Sequence, residues 1–218
     1  KLLVEKDPSL AEIVSKQIEE DNTFRRELDK EMTREALFQI EENERTSELK
    51  STVVYNEKWH KGVVGIVASR IIEQYYKPTV VLTRSGDTAT GSARSVSGFD
   101  LYKALEECEG HLIQFGGHMH AAGMTMEIEK IGAFTESFEN AVKNAITSAQ
   151  MIPEIEIDLE LDFNELNHKL YRIIQQMAPF GPGNPEPLLS SKNVYDTGYS
   201  KCVGKEGEHL KLHIQQES

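Results

Sequence analysis

The chain has 218 residues, of which 39% are hydrophobic, and its 36 acidic and 24 basic side chains give a formal net charge of -12. This length is enough for one large domain or two small ones. The acidic charge argues against a protein that coats nucleic acid through bulk charge, so any polyanion has to be held locally.

Cysteine usage and hydropathy narrow the class of protein further. Cys108 and Cys202 do not form a paired ligand spacing, which excludes a disulfide scaffold and a thiolate zinc site and favours a reducing cytoplasm. Apolar runs such as residues 63–68 are far shorter than the roughly 20 residues of a membrane helix. We therefore expect a cytoplasmic protein without a membrane span. Because the sequence opens on Lys1 without a methionine, we expect it to be part of a longer protein.

Residues 1–50 are predicted to be helical. Asp7-Pro8 and Ser9 are helix start signals, and apolar residues then recur with three-to-four spacing, which predicts one buried stripe. The stripe has two parts: Leu10, Ile13, Val14 and Ile18, then Leu28, Met32, Ala36 and Ile40. Asp21-Asn22-Thr23 is weakly helical and predicts a break or a second start. Either a helical hairpin packed on its own domain or a connector between two domains fits this segment.

Residues 51–150 alternate between strand and helix patterns. Their net charge is only -2, against -5 for each flanking segment, so they are the least repulsive to a phosphate. The alternation predicts an α/β domain with a mixed sheet and helices packed against it. The predicted strands are 52–55, 79–83 and 91–94, the helices are 63–76, 99–109 and 131–150, and a glycine-rich turn at 116–118 precedes an apolar segment at 121–128.

Residues 151–218 predict a helix and a β-module. An alternating strand covers 155–162, a helix capped by Asn164 runs to about residue 177, and the proline-rich stretch 180–187 is a rigid loop. Strands follow near 192–199 and 209–214, and the last pattern is still running where the sequence stops. We expect a truncated β-module.

The most informative motif is Phe115-Gly-Gly-His-Met-His-Ala-Ala-Gly123. Gly116 and Gly117 let the backbone approach a ligand and turn several N–H groups toward an anion, and His118 adds a donor, which suits a phosphate. The alternative is a plain strand connection in which both glycines supply a tight turn. A metal shared by His118 and His120 is a weaker alternative, because no carboxylate or thiolate stands at ligand spacing around them.

Two further motifs supply candidate anion contacts. Gly91-Ser-Ala-Arg-Ser95 carries Ser92 and Arg94, whose guanidinium can grip a phosphate with two parallel hydrogen bonds, although a surface arginine paired with an acid fits equally well. Trp59-His-Lys-Gly-Val-Val-Gly65 leads into a helix N-terminus that favours an anion, but Trp59 as a core anchor with His60 as its exposed neighbour is the simpler interpretation. Residues 1–150 contain no Asp-His-His run and no Asp-x-Asp for metal-assisted cleavage.

These motifs together resemble the DHH-associated domain of the RecJ family, and Phe180-Gly-Pro-Gly-Asn-Pro-Glu-Pro187 resembles the loop that leads into that family's oligonucleotide-binding (OB) β-barrel. The resemblance implies three parts: a helical connector at 1–50, a DHH-associated domain at 51–150, and a helix with a partial OB-type barrel at 151–218. It also implies a 5′-to-3′ exonuclease of single-stranded DNA, acting in recombination and repair, whose Mn²⁺ or Mg²⁺ centre lies in an N-terminal DHH domain.

That DHH domain is not in this sequence, so the chain is expected to hold no cofactor, to be inactive alone, and to have single-stranded DNA and the DHH domain as partners. By the same resemblance, the residues that hold the substrate phosphate or terminal nucleotide are Ser92, Arg94, Gly116, Gly117 and His118. His60 and Arg70 are also expected to bind the substrate, with positioning of the loop as the alternative role. Two alternatives stay open. One is a phosphodiesterase of cyclic dinucleotides or oligoribonucleotides, and the other is a non-enzymatic module that docks a partner through the helix at 10–45.

Overall fold

A computed structural model describes residues 2–204 and 207–217 of the chain. The chain divides into two compact units, residues 1–153 and residues 154–218. Among the described residues, no helix is both long enough and apolar enough to cross a membrane.

The first unit begins with a long helix, α1, at Pro8–Glu41, after a short 3-10 turn at Leu2–Val4. The side chain of Asp7 caps it by accepting from the backbone N–H groups of Ser9 and Leu10. The break predicted at residues 21–23 is wrong, because the polar side chains there bond along the helix. The Thr23 hydroxyl donates to the Glu19 carbonyl oxygen at 2.9 Å, and Gln17 Nε2 donates to Asp21 Oδ1 at 3.0 Å. The helix is about 50 Å long.

Only the second half of α1 is buried. Met32, Ala36 and Ile40 pack into a cluster with residues of the next helix and of the first strand, as the apolar spacing predicts. Leu10, Ile13 and Ile18, which the same spacing predicts to be buried, are instead exposed. The difference follows from where α1 meets the rest of the unit, since the second helix and the first strand contact it near its C-terminal end.

A five-stranded mixed sheet forms the centre of the first unit, as predicted. The strand order is β1-β2-β3-β5-β4; β1 and β2 are parallel, and the other neighbours are antiparallel. The strands are β1 at Thr52–Tyr55, β2 at Thr79–Ser85, β3 at Thr88–Arg94, β4 at Gln114–His118 and β5 at Ala121–Glu127.

Helices cover both faces of this sheet. Helix α2, at Val64–Tyr75, packs with α1 on one face, where Val54 and Val81 point toward them. Helices α3, at Leu101–Glu106, and α4, at Ile131–Ala145, pack on the other face. Strands β1 and β2 are therefore buried between two apolar clusters, whereas β4, at the far edge of the sheet, is largely exposed.

Two of these helices are shorter than predicted. The predicted helix at 99–109 begins at Leu101, because the Asp100 side chain accepts from the Lys103 N–H and caps it there, and it ends at Glu106. The predicted helix at 131–150 ends at Ala145, because Ile146 adopts an extended conformation. Short 3-10 turns follow at Glu109–His111 and Ala149–Met151.

The predicted turn at Gly116, Gly117 and His118 is wrong. These residues lie in β4, and Met119 and His120 form the turn to β5. Gly117 has a backbone φ of 156° and pairs directly with Ala122, so its lack of a side chain serves a close strand pairing instead of a turn.

The second unit contains one helix and three two-stranded sheets in its described part. Parallel strands β6 and β7 pair, as do antiparallel β8 with β11 and β9 with β10. The elements are β6 at Leu159–Glu160, α5 at His168–Gln176, β7 at Leu189–Ser190, β8 at Val194–Asp196, β9 at Lys201–Val203, β10 at His209–Lys211 and β11 at Ile214–Gln216. These pairs form a partial β-structure and do not close into a barrel within the described residues.

Three boundaries predicted in this unit are wrong. The strand predicted at 155–162 is reduced to two paired residues, because the backbone bonds to residues 188–190 hold only its second half. The N-cap of α5 is Asn167, whose side chain accepts from the N–H groups of Lys169 and Leu170, and Asn164 lies in a 3-10 turn ahead of it. The single strand predicted at 209–214 is two strands that pair with different partners.

Candidate functional site

Strand register brings four of the predicted site residues onto one face of the sheet. Ser92 on β3 lies opposite Gly123 on β5, which lies opposite Gly116 on β4. In the adjacent row, Arg94 lies opposite Ala121, which lies opposite His118. Side chains of directly paired residues point to the same face of a sheet. Arg94 and His118 are therefore two strand spacings apart, roughly 10 Å, on the face that carries α2.

The surface between these residues is open. A side chain on Gly116 would meet no heavy atom within 4 Å, and one on Gly123 would meet only the Gly91 carbonyl oxygen, at 3.9 Å. At the other end, a side chain on Gly65 of α2 would come within 3.0 Å of Arg94 Nη2 and 3.2 Å of Ser92 Oγ. We call this surface the glycine hollow, and its residues are Gly65, Ser92, Arg94, Gly116, His118 and Gly123.

Arg94 is the principal charged group of the glycine hollow. Its Nη1 donates to Ser92 Oγ at 2.7 Å and to the Ala93 carbonyl oxygen at 2.9 Å, which fixes the guanidinium on the sheet. The side chain is half-buried, and none of the ion pairs between described residues includes it. A partly desolvated guanidinium without a carboxylate partner favours an anion, because its Nη2 is left to donate. The alternative of a surface arginine paired with an acid is therefore wrong.

His118 is positioned as a hydrogen-bond donor. Its Nδ1 accepts from the backbone N–H of His120 at 3.3 Å, so the neutral ring carries its proton on Nε2. The imidazole is exposed, and the His120 ring lies edge-on to it with 5.9 Å between centroids. Within the described residues, no group of three or more His, Cys, Asp or Glu side chains could hold a metal ion, and the two histidines have no third ligand there.

The β4–β5 turn is bonded to both ends of the segment that connects β3 to α3. The Ser95 N–H donates to the His120 carbonyl oxygen at 3.0 Å, and the Leu101 N–H donates to the Met119 carbonyl oxygen at 3.1 Å. A side chain on Gly117 would overlap the Ala121 carbonyl oxygen and lie 2.6 Å from the Ala122 Cα atom. These contacts hold His118 at the end of β4, in the same row of the sheet as Arg94.

The structure separates His60 and Arg70 from the glycine hollow to different degrees. His60 lies in the loop before α2, where its Nδ1 accepts from the Gly62 N–H at 3.2 Å. Arg70 lies further along α2 and pairs with Glu73 at 3.2 Å and with Asp29 of α1 at 3.9 Å. His60 therefore shapes the loop that leads to Gly65, whereas Arg70 is directed toward α1.

Glu35 is a residue of this region that the sequence motifs do not reveal. Its carboxylate accepts from Trp59 Nε1 at 2.8 Å and from Asn56 Nδ2 at 3.4 Å. Trp59 is 5% exposed, so the core-anchor interpretation is correct, and its carbonyl oxygen accepts from the Thr83 hydroxyl at 2.6 Å. Helix α1 and strand β2 thus fix the loop that positions Gly65. The sequence signal that could have revealed Glu35 is its position on α1 next to Ala36 and three residues after Met32, both of which are predicted to be buried.

Comparison with known families identifies both units. Residues 48–144 match the DHHA1 domain, and residues 157–218 match the RecJ OB domain. The fold is therefore a DHHA1 domain followed by an OB domain.

Comparison with individual proteins extends the match over the whole chain. The single-stranded-DNA-specific exonuclease RecJ of Bacillus subtilis is 33% identical over 100% of this chain and 28% of its own length. The Escherichia coli enzyme of the same name is 30% identical over 94% of this chain and 36% of its own length. The crystal structure of RecJ in complex with Mn²⁺ from Thermus thermophilus superposes with a TM-score of 0.82 at 26% identity, over 97% of this chain and 30% of that one.

The chain belongs to the RecJ family. It spans between 28% and 36% of the length of the curated RecJ proteins from Bacillus subtilis, Salmonella typhimurium and Escherichia coli.

Proposed function

We propose that the chain is the substrate-binding part of a RecJ-like 5′-to-3′ exonuclease of single-stranded DNA that acts in recombination and repair in the cytoplasm. The observation that carries the proposal is Arg94, a half-buried guanidinium that has no ion-pair partner among the described residues and borders an open, glycine-lined surface. A terminal phosphate is the anion of matching charge and geometry on a DNA strand.

Each site residue predicted from the sequence has a role in this proposal. Arg94 donates from Nη2 to the phosphate, while Ser92 holds the guanidinium in place. His118 donates from Nε2 on the opposite side. Gly116 leaves room for the nucleotide, and Gly117 allows the close strand pairing that positions His118. His60 shapes the loop before α2. Arg70 positions α2, which carries Gly65, through its contact with Asp29 of α1. A few aimed donors are sufficient here, so the net charge of -12 is compatible with DNA binding.

Hydrolysis is assigned to a DHH domain that would act as the partner of this chain. RecJ of Thermus thermophilus is known in complex with Mn²⁺ and with Mg²⁺. The described residues of this chain do not fit such an ion, because none of their His, Cys, Asp and Glu side chains form a cluster of three. The chain alone is therefore expected to bind a DNA end without releasing nucleotides when Mn²⁺ is added.

The proposal is tested by the affinity of the chain for short single-stranded oligonucleotides with and without a 5′-phosphate. Arg94→Ala should weaken binding of the phosphorylated oligonucleotide by about 1.5 to 3 kcal/mol, the range for a lost charged hydrogen bond. It should also remove the difference between the two oligonucleotides. Arg84→Ala is the matched control, since Arg84 is an exposed arginine of β2 that pairs with Glu57. An affinity that depends neither on the 5′-phosphate nor on Arg94 would contradict the proposal.

The small-nucleotide alternative predicts a different length dependence. A phosphodiesterase of cyclic dinucleotides or oligoribonucleotides would bind a dinucleotide as tightly as a longer strand. The RecJ OB domain at residues 157–218 supports the longer substrate. Equal affinities for a dinucleotide and a twenty-nucleotide strand would favour the alternative.

A further inference from the structure

A second cationic surface lies between α1 and α2, apart from the glycine hollow. It is an open groove of about 700 Å³. Its basic side chains are Arg26, Lys30 and Arg34 from α1 and Arg70 from α2. We call it the α1 groove.

The three basic residues of α1 form an evenly spaced row. They recur every four residues, so they share one face of the helix and follow one another at about 6 Å along its axis. None of the ion pairs found between described residues includes Arg26, Lys30 or Arg34. The residues that line the groove include four basic side chains against two acidic ones, and this local excess of positive charge in a chain with 36 acidic side chains favours a polyanion.

The acidic side chains of the α1 groove do not neutralise this row. Asp29 is already engaged, since it lies 3.9 Å from Arg70 Nε and accepts from the Thr33 hydroxyl at 3.3 Å. Glu41 lies at the C-terminal end of α1, nearly two helical turns beyond Arg34. The basic row therefore faces the groove without an acid of its own.

An exposed aromatic ring continues the row. Phe38 follows Arg34 by four residues, lines the same groove, and is 62% exposed. Proteins that bind single strands combine a positively charged groove that tracks the phosphates with aromatic rings on which the bases stack. Single-stranded DNA fits this surface better than a duplex, because the bases of a duplex are stacked inside it and are not available to the Phe38 ring. It also fits better than an acidic protein segment, which has no bases to stack on that ring.

We propose that the α1 groove binds the backbone of single-stranded DNA, with Arg26, Lys30 and Arg34 on successive phosphates and Phe38 stacked on a base. The inference rests on the proposed function, because it names a second contact for the same class of substrate. It goes beyond that function by assigning binding to α1, at a distance from the residues that hold the terminal phosphate.

The salt dependence of binding tests the basic row. The triple variant Arg26→Gln, Lys30→Gln and Arg34→Gln keeps helix-forming side chains and removes three charges. For a twenty-nucleotide oligothymidine, the slope of log affinity against log salt concentration should become shallower by about 2, since each phosphate contact on a single strand contributes roughly 0.7. The control triple, Lys16→Gln, Lys130→Gln and Lys143→Gln, makes the same charge change outside the groove and should leave the slope unchanged. An unchanged slope in the groove variant would overturn the proposal.

Stacking is tested by a matched pair of phenylalanines. Phe38→Ala should weaken binding of the same oligonucleotide about fivefold or more, the effect of losing one base–aromatic contact. Phe24→Ala is the control, because Phe24 is 60% exposed on the same helix and does not line the groove. Equal affinities of the two variants would remove Phe38 from the site.

The same measurements separate this proposal from the terminal-phosphate proposal. The groove triple should leave binding of a 5′-phosphorylated dinucleotide unchanged, whereas Arg94→Ala should weaken it. If Arg94→Ala has no effect and the groove triple still reduces the slope, the α1 groove stands and the proposed function falls. If the groove triple has no effect and Arg94→Ala weakens binding, the proposed function stands and the α1 groove falls. Failure of the unaltered chain to bind the oligothymidine would overturn the groove.

Discussion

Arg94 and His118 come together through strand pairing, although 23 residues separate them in the sequence. Both residues could be selected from their motifs, because an arginine among small residues and a histidine after two glycines each favour an anion. Their common face could not be predicted, since it depends on β5 lying between β3 and β4. The role of Gly117 could not be predicted either, because the sequence does not distinguish a glycine in a close strand pairing from a glycine in a turn.

The two glycines of β4 should have separable roles. Gly117→Ala places a side chain against the Ala121 carbonyl oxygen at a backbone φ of 156°, so we expect a loss of about 2 kcal/mol or more in the free energy of unfolding. Gly116→Ala meets no atom within 4 Å and should keep the stability within about 0.5 kcal/mol. It should nevertheless weaken binding of a phosphorylated oligonucleotide by filling the hollow. Urea unfolding and binding measurements on both variants check this, and equal stabilities would contradict it.

Cys108 makes stability depend on alkaline pH. The thiol is 1% exposed, and burial, followed by the nearby Glu107 charge, raises the pKa of Cys108 to about 11. The unfolded thiol ionises near 9.0, so the folded state retains the proton more strongly. The stabilisation is complete below pH 9 and is lost as the pH rises through 11, by about 1 kcal/mol at pH 10.

The Cys108 prediction is measured as a difference between variants. Cys108→Ala should lose this part of the decline in unfolding free energy between pH 8.5 and pH 10.5, while other titrating groups contribute equally to both proteins. In the native protein, iodoacetamide should label Cys202, which is exposed, and spare Cys108. Parallel pH profiles for the two proteins would refute the assignment.

At the scale of helices and strands, continuous apolar runs were predicted well. Strands β1 and β2 are buried between two helical layers, and such strands are recognised from their valines and leucines alone. Segment 155–162 has a clean alternation of apolar and acidic residues, but only Leu159–Glu160 pairs as a strand. Alternation indicates that a segment can pair, and it does not say how much of a neighbouring strand is available.

Helix α1 is attached to the loop before α2 through Glu35. Glu35→Ala would leave the buried Trp59 Nε1 without its acceptor, so we expect the free energy of unfolding to fall by about 1 to 3 kcal/mol. Glu35→Gln keeps an acceptor oxygen and should cost less. Trp59 is the single tryptophan of the chain, so its fluorescence reports this contact directly. Glu31→Ala, an exposed neighbour on the same helix, is the control. Similar stabilities for the two alanine variants would show that Glu35 does not hold the loop.

At the scale of the whole molecule, the chain has one well-packed unit and one with little core. The buried apolar residues lie almost entirely in residues 1–153, and in the described part of residues 154–218 only Leu161 is a buried hydrophobic residue. The sequence predicted three parts, at 1–50, 51–150 and 151–218. Residues 1–153 form one compact unit, in which Met32, Ala36 and Ile40 of α1 pack with α2 and β1. The division into three parts stays a prediction. The role of α1 as a connector to another domain stays a prediction.

The two units should therefore differ in local stability. Backbone amides of β2, β3 and β5 should exchange slowly with solvent, because these three strands lie in the interior of the five-stranded sheet and pack into the core formed with α3 and α4. Amides of β8 to β11 should exchange faster, since each of those strands pairs with one other strand within the described residues and has little apolar cover. Hydrogen exchange followed by mass spectrometry measures this difference. Equal protection of the two sets would show that the second unit has a core of comparable stability.

The connection between β4 and β5 is only two residues long, so a change in its length alters the register of the two strands. An inserted residue that shifted β4 by one position against β5 would turn the His118 imidazole to the opposite side of the sheet, away from Arg94. A shift by two would restore the side but displace the ring by one full repeat along the strand. Insertions and deletions in this turn are thus more disruptive than substitutions of Met119 or His120.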